Sequence, residues 1–428
     1  MVIKYFTKPF FLAAVICAFI FYSGLFKIPE KNKLKSLICE DDVCFIQLRL
    51  LSSPSKCENE KFYGATGFAL YAESGGGVKS SASGKVKVYI PSESVETFFP
   101  GKLYSSSQKK GSFLYETGGI YSLNGKFKNN AFYVSKCESV FWENSTNGKI
   151  CKFRALCRLQ FKRLMYSWGE AGGLLLALLS GAREYTEKKT SDAFRLAGLS
   201  HILALSGMHL SMFSAIAVFC GDKLGRKKLT YLIRILVLIL FVWFAGFSPS
   251  LLRAFICALL SLIATMSGTE KPDMILILCF SFLFQSFICP GDIQNAGFIL
   301  SYGALAGILL TNSFLNRILS KIFPKMLAAS FSSSTGAQIF TAPVSLKLFG
   351  TFSPIGIIAT TVVSPLITLF IYSGLILIIL SLIFPIIQIY SGFFVNILYT
   401  VIKFLVNFFS KIPSLKLHDE ESFDFRGV

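Results

Sequence analysis

The chain has 428 residues, of which 53% are apolar and only 16% are charged, and 44 of them are Phe. From about residue 172 onward, apolar runs recur with few charges between them. A soluble fold could bury only one or two such helices, so the composition excludes an ordinary soluble protein and predicts a polytopic membrane protein.

The formal net charge is +19, and much of the excess lies between residues 27 and 165. Part of such an excess is expected, because cytoplasmic loops of membrane proteins are rich in Lys and Arg. A basic domain held at a membrane can also bind anionic lipid headgroups or a polyanion such as DNA. A merely solubilising surface is the simpler interpretation of the charge.

Residues 1–26 have the pattern of an N-terminal transmembrane anchor. Two lysines precede an apolar run that begins at residue 9, which predicts a cytoplasmic N-terminus. A cleavable signal peptide is the alternative, but no small-x-small cleavage site follows the run. The anchor would place residues 27–150 outside the cytoplasm, and the basic loop Asp222–Lys228, one span later, back inside.

Residues 27–150 have the texture of a small β domain. Short alternating segments separated by Gly, Asn and Ser predict strands at Phe62–Tyr71, Lys85–Pro91, Phe113–Tyr115, Gly119–Leu123 and Ala131–Val134. Several short strands in about 120 residues favour a closed barrel of the OB type. Such barrels often bind single-stranded nucleic acid through aromatics and a basic groove, although aromatics at alternate positions more often belong to the core.

Two features of the first 170 residues have a second interpretation. Residues 151–170 include a basic amphipathic stretch, Lys152–Tyr166, which predicts a helix in the membrane interface or, equally, a plain packing helix. Six cysteines permit up to three disulfides if the β domain faces an oxidising compartment. These disulfide candidates are Cys39, Cys44, Cys57, Cys137, Cys151 and Cys157. Their spacing is not that of a zinc site, and no metal or cofactor is expected.

The remainder, residues 171–413, forms the polytopic domain, followed by a polar tail at 414–428. Gly172–Leu179 is too short to span a bilayer and is expected to re-enter the membrane or to pack on other helices. Apolar segments then recur from Leu203–Cys220 onward. The last three contain or border Pro343, Pro354, Pro365 and Pro385, so broken helices are expected there.

The stretch Ser200–Leu210 contains two of the three histidines in the chain, inside an apolar segment. On a straight helix His201 and His209 would lie about 12 Å apart along the axis, too far to bind one metal ion. Ser206 and His209 can be neighbours, but a Ser–His nucleophile pair also needs an oxyanion hole and an orienting acid. A kinked, polar helix that lines a route through the membrane fits better, with Ser206 and Gly207 providing the backbone freedom.

A second polar cluster begins at Ser248, which is predicted to cap a helix whose first residue is Pro249. Ser250 and Arg253 follow in the first turns. Arg253 would then lie in an apolar helix, either snorkelling to the interface or facing an aqueous path for phosphates. Late segments carry further polar residues, of which Gln338 is the one we add to this path, although hydrogen bonding between helices is their default role.

Collinear motifs in the polytopic region resemble the ComEC-type competence proteins, inner-membrane channels that carry single-stranded DNA into the cytoplasm during natural transformation. The motifs are Leu176–Arg183, Ala197–His209, Trp243–Ala254, Asn295–Tyr302 and Gln338–Gly350. Phe99–Leu103 also looks like a turn of the family's N-terminal OB-like domain. Many members continue into a metallo-β-lactamase-like nuclease domain and have more than one N-terminal span, and the segment Ile358–Thr361 lacks the asparagine expected before Pro365.

The resemblance and the residues together predict a polytopic α-helical bundle with an N-terminal extracytoplasmic OB-like barrel in the bacterial inner membrane. The expected function is passage of single-stranded DNA, without enzymatic activity, past His201, Ser206, Gly207, His209, Ser248, Ser250, Arg253 and Gln338. Implied partners are single-stranded DNA, membrane lipids, a DNA receptor, a separate nuclease and a cytoplasmic translocation ATPase, with a homo-oligomer as an option. The alternatives are a transporter or flippase for an anionic lipid or small solute, and an intramembrane hydrolase.

Overall fold

The computed structural model describes residues 8–23, 34–57, 61–96, 115–223, 225, 227–269, 271–384 and 386–416. It contains an N-terminal β-barrel and a larger helical domain, as the sequence predicts. The Phe99–Leu103 turn and most of the Phe113–Tyr115 strand lie outside the described residues, as does most of the tail.

The barrel is built from alternating segments in which every second side chain points inward. The strands are β1 Val43–Leu50, β2 Ser55–Lys56, β3 Phe62–Ser74, β4 Lys79–Ser81, β5 Lys85–Pro91, β6 Ile120–Lys128 and β7 Ala131–Phe141. A short helix, α2 Ser92–Val95, follows β5. The predicted strands that begin at Phe62, Lys85, Gly119 and Ala131 are therefore confirmed, within a few residues at their ends.

Five strands close on themselves in the order β1-β6-β7-β5-β3 and back to β1. All neighbours are antiparallel except β5 and β7, which run parallel. In chain order this is the closed 1-2-3-5-4 arrangement of an OB-fold, so the expected small barrel is confirmed. Its interior is filled by fully buried residues such as Ile46, Leu48, Val88 and Phe132.

The helical domain follows the barrel without a break in the chain. Its helices are α3 Thr146–Ser167, α4 Gly169–Ser180, α5 Lys188–Leu196, α6 Ser200–Leu203, α7 Gly207–Asp222, α8 Lys227–Ala245, α9 Pro249–Met266, α10 Met274–Ile288, α11 Ala296–Leu319, α12 Lys325–Phe349, α13 Gly356–Ile383 and α14 Ile387–Ser410. A 3-10 turn at Pro290–Gln294 joins α10 to α11. Two short strands, β8 Thr351–Phe352 and β9 Leu415–Lys416, pair at the end of the domain.

Five helices among the described residues are long and apolar enough to cross a membrane: α8, α9, α11, α13 and α14. The chain is therefore a multi-pass membrane protein. The prolines expected to break the last segments act differently, because α12 and α13 run through Pro343 and Pro365. Neighbouring helices can satisfy the backbone groups that such a proline frees. Pro354 lies between these two helices, and Pro385 lies outside the described residues.

Two shorter apolar helices are built into the domain rather than crossing it alone. In α4, every residue from Ala171 to Ser180 is buried, against α3, α13 and α14, so the expected packing of this short segment is confirmed. The anchor helix, α1 Pro9–Tyr22, packs on α10: the rings of Phe10 and Phe280 lie 5.9 Å apart, and the Tyr22 hydroxyl donates to the carbonyl of Ile293. The anchor thus belongs to the bundle.

Helix α3 corrects the prediction of an interfacial basic face. Its central basic residues, Arg158 and Lys162, are each only 1% exposed and point into the protein rather than towards lipid or solvent. Their charges are offset by two buried carboxylates, Glu116 from the barrel and Glu184 from the loop after α4. The alternative, a packing helix, therefore describes these residues, and we call these four side chains the junction cluster.

The junction cluster joins the barrel to the helical domain through short contacts. Glu116 lies 3.0 Å from Arg158 Nε and 2.5 Å from Lys162 Nζ, and Lys162 Nζ lies 2.8 Å from Glu184. Arg158 also donates to the carbonyls of Phe244 and Ala245 at the end of α8.

Burial on its own would raise the pKa of Glu116, but the charges of Lys162 and Arg158 outweigh it and hold the pKa below the usual range. Burial likewise opposes the charged form of Lys162, whereas Glu116 and Glu184 raise its pKa.

The disulfide prediction is not supported. All six cysteines of the first third are free thiols, although Cys39 and Cys44 line the same cavity. Cys137 is buried in the barrel core, Cys57 faces Gly64 on β3, Cys44 faces Gly75, and Cys151 lies on α3 beside Gly118. Burial raises the pKa of the Cys137 thiol to about 11.

Candidate anion site at a break between two helices

The stretch Ser200–Leu210 does not form the single straight helix assumed for the spacing of its histidines. Helix α6 ends at Leu203, Ala204 has an extended conformation, and α7 begins at Gly207 with Ser206 as its N-cap. The chain thus breaks just before the Ser206–Gly207 step at which backbone freedom was expected. Ser206 is a favourable N-cap residue, which explains why the second helix starts there.

His209 stabilises this break from the first turn of α7. Its Nδ1 accepts a hydrogen bond from the backbone N–H of Ser206 at 3.3 Å, the role that Glu or Gln plays in a capping box. An accepting Nδ1 leaves the proton on Nε2. That Nε2 is buried and has no hydrogen-bond partner within the described part of the chain. His209 therefore presents an unpaired N–H donor inside the protein.

The start of α9 closes the other side of the break. Ser248 accepts a hydrogen bond from the Leu251 N–H at 3.4 Å, with Pro249 as the first helical residue, so the predicted helix start is confirmed. Ser250 Oγ donates to the carbonyl of Leu205 at 2.8 Å. A break inside an apolar bundle frees such carbonyls from helical bonding, and this hydroxyl provides a partner for one of them.

Two charged side chains of the described residues lie at this break: Arg183, whose Nη2 donates to the carbonyl of Leu203 at 3.3 Å, and Arg253. Arg253 is 8% exposed, and its Nη1 donates to the carbonyl of Ser301 on α11 at 2.5 Å. Its Nε has no hydrogen-bond partner among the described residues, and no carboxylate there forms an ion pair with it. A Cβ on Gly207 would lie 3.4 Å from Nη2, so the guanidinium lies against the first residue of α7. The prediction that Arg253 snorkels to the interface is not what the contacts show.

We call Ser206, Gly207, His209, Ser250 and Arg253 the break site. Its polar groups are mostly donors: the guanidinium, the imidazole Nε2–H and the N-terminal end of α7, which carries a partial positive charge. Burying an unpaired cation in a membrane protein costs free energy, and binding an anion or another strong acceptor would lower that free energy. The arrangement can therefore bind a phosphate-like group once one can reach it.

The hydrolase alternative finds little support at this site. Ser206 Oγ lies 3.4 Å from His209 Nδ1, but that nitrogen already accepts the Ser206 backbone N–H. An orienting acid would have to contact Nε2, which has no partner in the described part of the chain. The imidazole is thus placed to hold the helix start.

Two predicted path residues lie apart from the break site. His201 is exposed on α6, whereas His209 is fully buried, so the two imidazoles do not share an environment. Gln338 lies on α12 with its Nε2 2.8 Å from the position of a Cβ on Gly356, where the backbones of Gly198 and Gly356 approach closely. Its Oε1 is buried and unpaired among the described residues, so a polar group is available there too.

The sequence reasoning missed a buried hydrogen-bond network beside Arg253. Tyr302 OH bonds to Ser281 Oγ at 2.9 Å and to Gln285 Oε1 at 3.1 Å, and Gln285 Nε2 donates to Asp292 at 3.0 Å. Ser281 and Gln285 are four residues apart on the otherwise apolar α10, which was the available signal. Tyr302 follows Ser301 in the chain, so this network holds in place the turn of α11 whose carbonyl Arg253 binds.

The chain is thus a multi-pass membrane protein that combines a barrel of OB topology with a buried cluster of hydrogen-bond donors at a helix break. The chain belongs to the Competence protein family, whose profile matches residues 178–422, more than half of its length. The whole break site and the Gln338 site lie within the matched region.

Two curated relatives are similar to part of the chain. ComE operon protein 3 of Bacillus subtilis (strain 168) is 26% identical over 215 residues, which are 48% of this chain and 26% of the relative. Recombination protein 2 of Haemophilus influenzae is 27% identical over 213 residues, 45% of this chain and 26% of the relative. The alignments thus span about a quarter of each relative's own length. No solved structure matches the chain significantly.

Proposed function

We propose that the protein is a channel of the bacterial inner membrane that passes single-stranded DNA into the cytoplasm during natural transformation. Membership of the Competence protein family supports a role in DNA uptake. The names of the two relatives, a ComE operon protein and a recombination protein, agree with it. The multi-pass helical domain provides the membrane crossing.

The burial of Arg253 without a charged partner among the described residues is the main support for the proposal. Its guanidinium is buried among helices and has no carboxylate partner in that part of the chain. It is therefore available to a phosphodiester, because Arg offers oxyanions paired donors in a fixed geometry. The unpaired Nε2–H of His209 and the N-terminal end of α7 lie on the same helix start and add further donors.

Passage of DNA requires the break site to open. His209 is fully buried and Arg253 is 8% exposed, and in this proposal that arrangement is the closed state of the site. Opening would break the hydrogen bonds from Ser250 to Leu205 and from Arg253 to Ser301. Movement of α9 relative to α7 would exchange these carbonyl partners for phosphate oxygens.

In this proposal the barrel lies outside the cytoplasm and receives the DNA strand. The basic loop at Asp222–Lys228 and the basic end of α11 at Arg317 then lie in the cytoplasm, as the positive-inside rule requires. A DNA receptor, a nuclease for the second strand and a cytoplasmic ATPase are the proposed partners.

The test uses a deletion strain of a competent host that is complemented with the full chain or with variants. Arg253→Gln should abolish both entry of labelled DNA into a nuclease-protected pool and the recovery of transformants, at normal protein level. Arg234→Gln is the matched control, because Arg234 also lies in a spanning helix but has a hydroxyl partner, Ser214, at 2.8 Å. Normal transformation by Arg253→Gln would contradict the proposal, and a lipid or solute defect in its place would favour the transporter alternative.

A further inference from the structure

The outer face of the barrel carries an aromatic cluster that is separate from its core. Phe62 on β3, Tyr89 on β5 and Tyr133 on β7 are partly exposed and are not among the residues that fill the interior. The Tyr133 ring lies 4.8 Å from that of Tyr89, tilted by 33°, and 5.6 Å from that of Phe62, edge to face. We call these three residues the aromatic strip.

The strip is continuous because of the strand register. Tyr89 pairs directly with Tyr133 across the parallel β5–β7 ladder and with Gly64 across β3. Paired residues project from the same face of a sheet, so the two tyrosines stand side by side. Gly64 carries no side chain, and a Cβ there would lie 3.3 Å from Cys57 Sγ and 3.7 Å from Tyr89 Cε1, so the Cys57 thiol borders this edge of the strip.

Lysines follow the strip on the same face. Lys87 and Lys85 are two and four residues from Tyr89 along β5, about 7 Å and 14 Å away on a strand. Ala131 on β7 pairs with Lys87 of β5 on one side and with Lys128 of β6 on the other. Both lysines are exposed, so they flank the small side chain of Ala131. At the far edge the positive surface ends, because Asp41 and Asp42 line the same cavity as Lys126.

Rows of aromatic rings beside rows of lysines match the chemistry of a single nucleic-acid strand. Unpaired bases stack on aromatic faces whatever their identity, and the phosphates that join them need cations a few ångströms away. A double helix hides its bases, and a simple polyanion has none to stack. The outer face of the second and third strands is also where OB-folds bind oligonucleotides, and those strands are β3 and β5 here.

We propose that the aromatic strip and the lysines at positions 85, 87 and 128 form a binding site for single-stranded DNA, with bases on the rings and phosphates on the lysines. This inference rests on the proposed function and assigns the residues by which the barrel receives the strand. The strip ends at Phe62, next to Tyr63, whose hydroxyl donates to the carbonyl of Glu184 in the helical domain at 3.2 Å. A strand bound here therefore ends beside the junction with the helices.

The test measures binding of fluorescent oligo(dT) to the full chain in detergent micelles. The double variant Tyr89→Leu/Tyr133→Leu keeps the apolar contacts but removes two stacking faces, and affinity should fall roughly tenfold or more. The variant Phe141→Leu is the matched control, because Phe141 is an exposed aromatic on the same β7, eight residues from Tyr133; its affinity should not change. Lys85→Gln and Lys128→Gln should each reduce the salt dependence of binding by about 0.7 in log–log slope.

Unchanged oligo(dT) affinity in a double variant that unfolds at the wild-type temperature would overturn the inference. Equal competition by inorganic polyphosphate or by duplex DNA would overturn it too, because stacking would then contribute nothing. The uptake assay with Arg253→Gln is independent: normal uptake there with loss of oligo(dT) binding here would leave the strip as a DNA site and reject the proposed channel path.

Discussion

Replacing Glu116 by Gln should loosen the attachment of the barrel to the helical domain. Glu116 is 1% exposed and contacts both Arg158, at 3.0 Å, and Lys162, at 2.5 Å. The amide has nearly the same shape but no charge, so two buried cations would share one remaining carboxylate, Glu184. Removing one partner of a buried ion pair costs about 3–5 kcal/mol, since the other charge stays buried without compensation.

The assay is thermal unfolding of the full chain in detergent, followed by limited proteolysis near the junction. A loss of about 3 kcal/mol should lower the unfolding temperature by roughly 6–12 °C if 150–250 residues unfold together. Asp192→Asn is the control, because its ion pair with Arg195 is exposed and contributes about 1 kcal/mol at most. The double variant Glu116→Gln/Lys162→Met restores the balance of charge and should recover part of the loss. If Glu116→Gln unfolds at no lower temperature than Asp192→Asn, the junction cluster does not stabilise the attachment of the barrel.

Two further perturbations have signs fixed by the structure. Because the pKa of Glu116 is held below 4.5 and that of Lys162 above 10.5, the contribution of the cluster is present between these values. It is lost as the pH falls through the first folded-state pKa or rises through the second. Proteolysis rates across a pH series should show both limits, and the acid limit should vanish in Glu116→Gln. On α11, a Cβ at Gly307 would overlap the Gly336 carbonyl of α12, whereas at Gly303 the nearest atom would be 3.9 Å away. Gly307→Ala should therefore destabilise the pair by about 1–3 kcal/mol in thermal unfolding and Gly303→Ala should not; equal effects would contradict this packing.

The membrane class and the barrel could be predicted from the sequence because both leave periodic signals. Uninterrupted apolar runs in the second half and the alternation in Phe62–Tyr71 and Lys85–Pro91 need no knowledge of the tertiary fold. The Ser248-Pro249 helix start was equally local, and the structure confirms it. Local rules succeed where the partners of a residue lie within one turn or one strand.

The sequence-based predictions that were wrong involve residues whose contacts come from distant parts of the chain. Arg158 and Lys162 have the pattern of a solvated or lipid-facing basic helix, and only the fold brings Glu116 and Glu184 to them. The cysteines formed an even set by count, although all six are free thiols in the structure. Pro343 looked like a helix break, because nothing in the sequence shows the neighbouring helices that support α12 around it.

The break site was predicted in part. Ser206 and Gly207 suggested a kink, and the histidine three residues later suggested a neighbour for the serine, which is where the structure places it. The approach of Arg253 to Gly207 could not be derived, because it depends on how α9 crosses α7 and α11. The roles of these residues in DNA passage stay a prediction.

Crosslinking in cells can detect whether a DNA strand passes the break site. A photoreactive amino acid at Ser250, whose hydroxyl bonds to Leu205 at the break, would be activated during uptake of labelled DNA. A second protein would carry the same group at Ile239 of α8, which is 47% exposed on the outside of the bundle. If a DNA strand passes the break site, a covalent DNA adduct should form at position 250 and none at position 239. Ongoing uptake with no adduct at position 250, or with equal adducts at both positions, would contradict passage of the strand through this site.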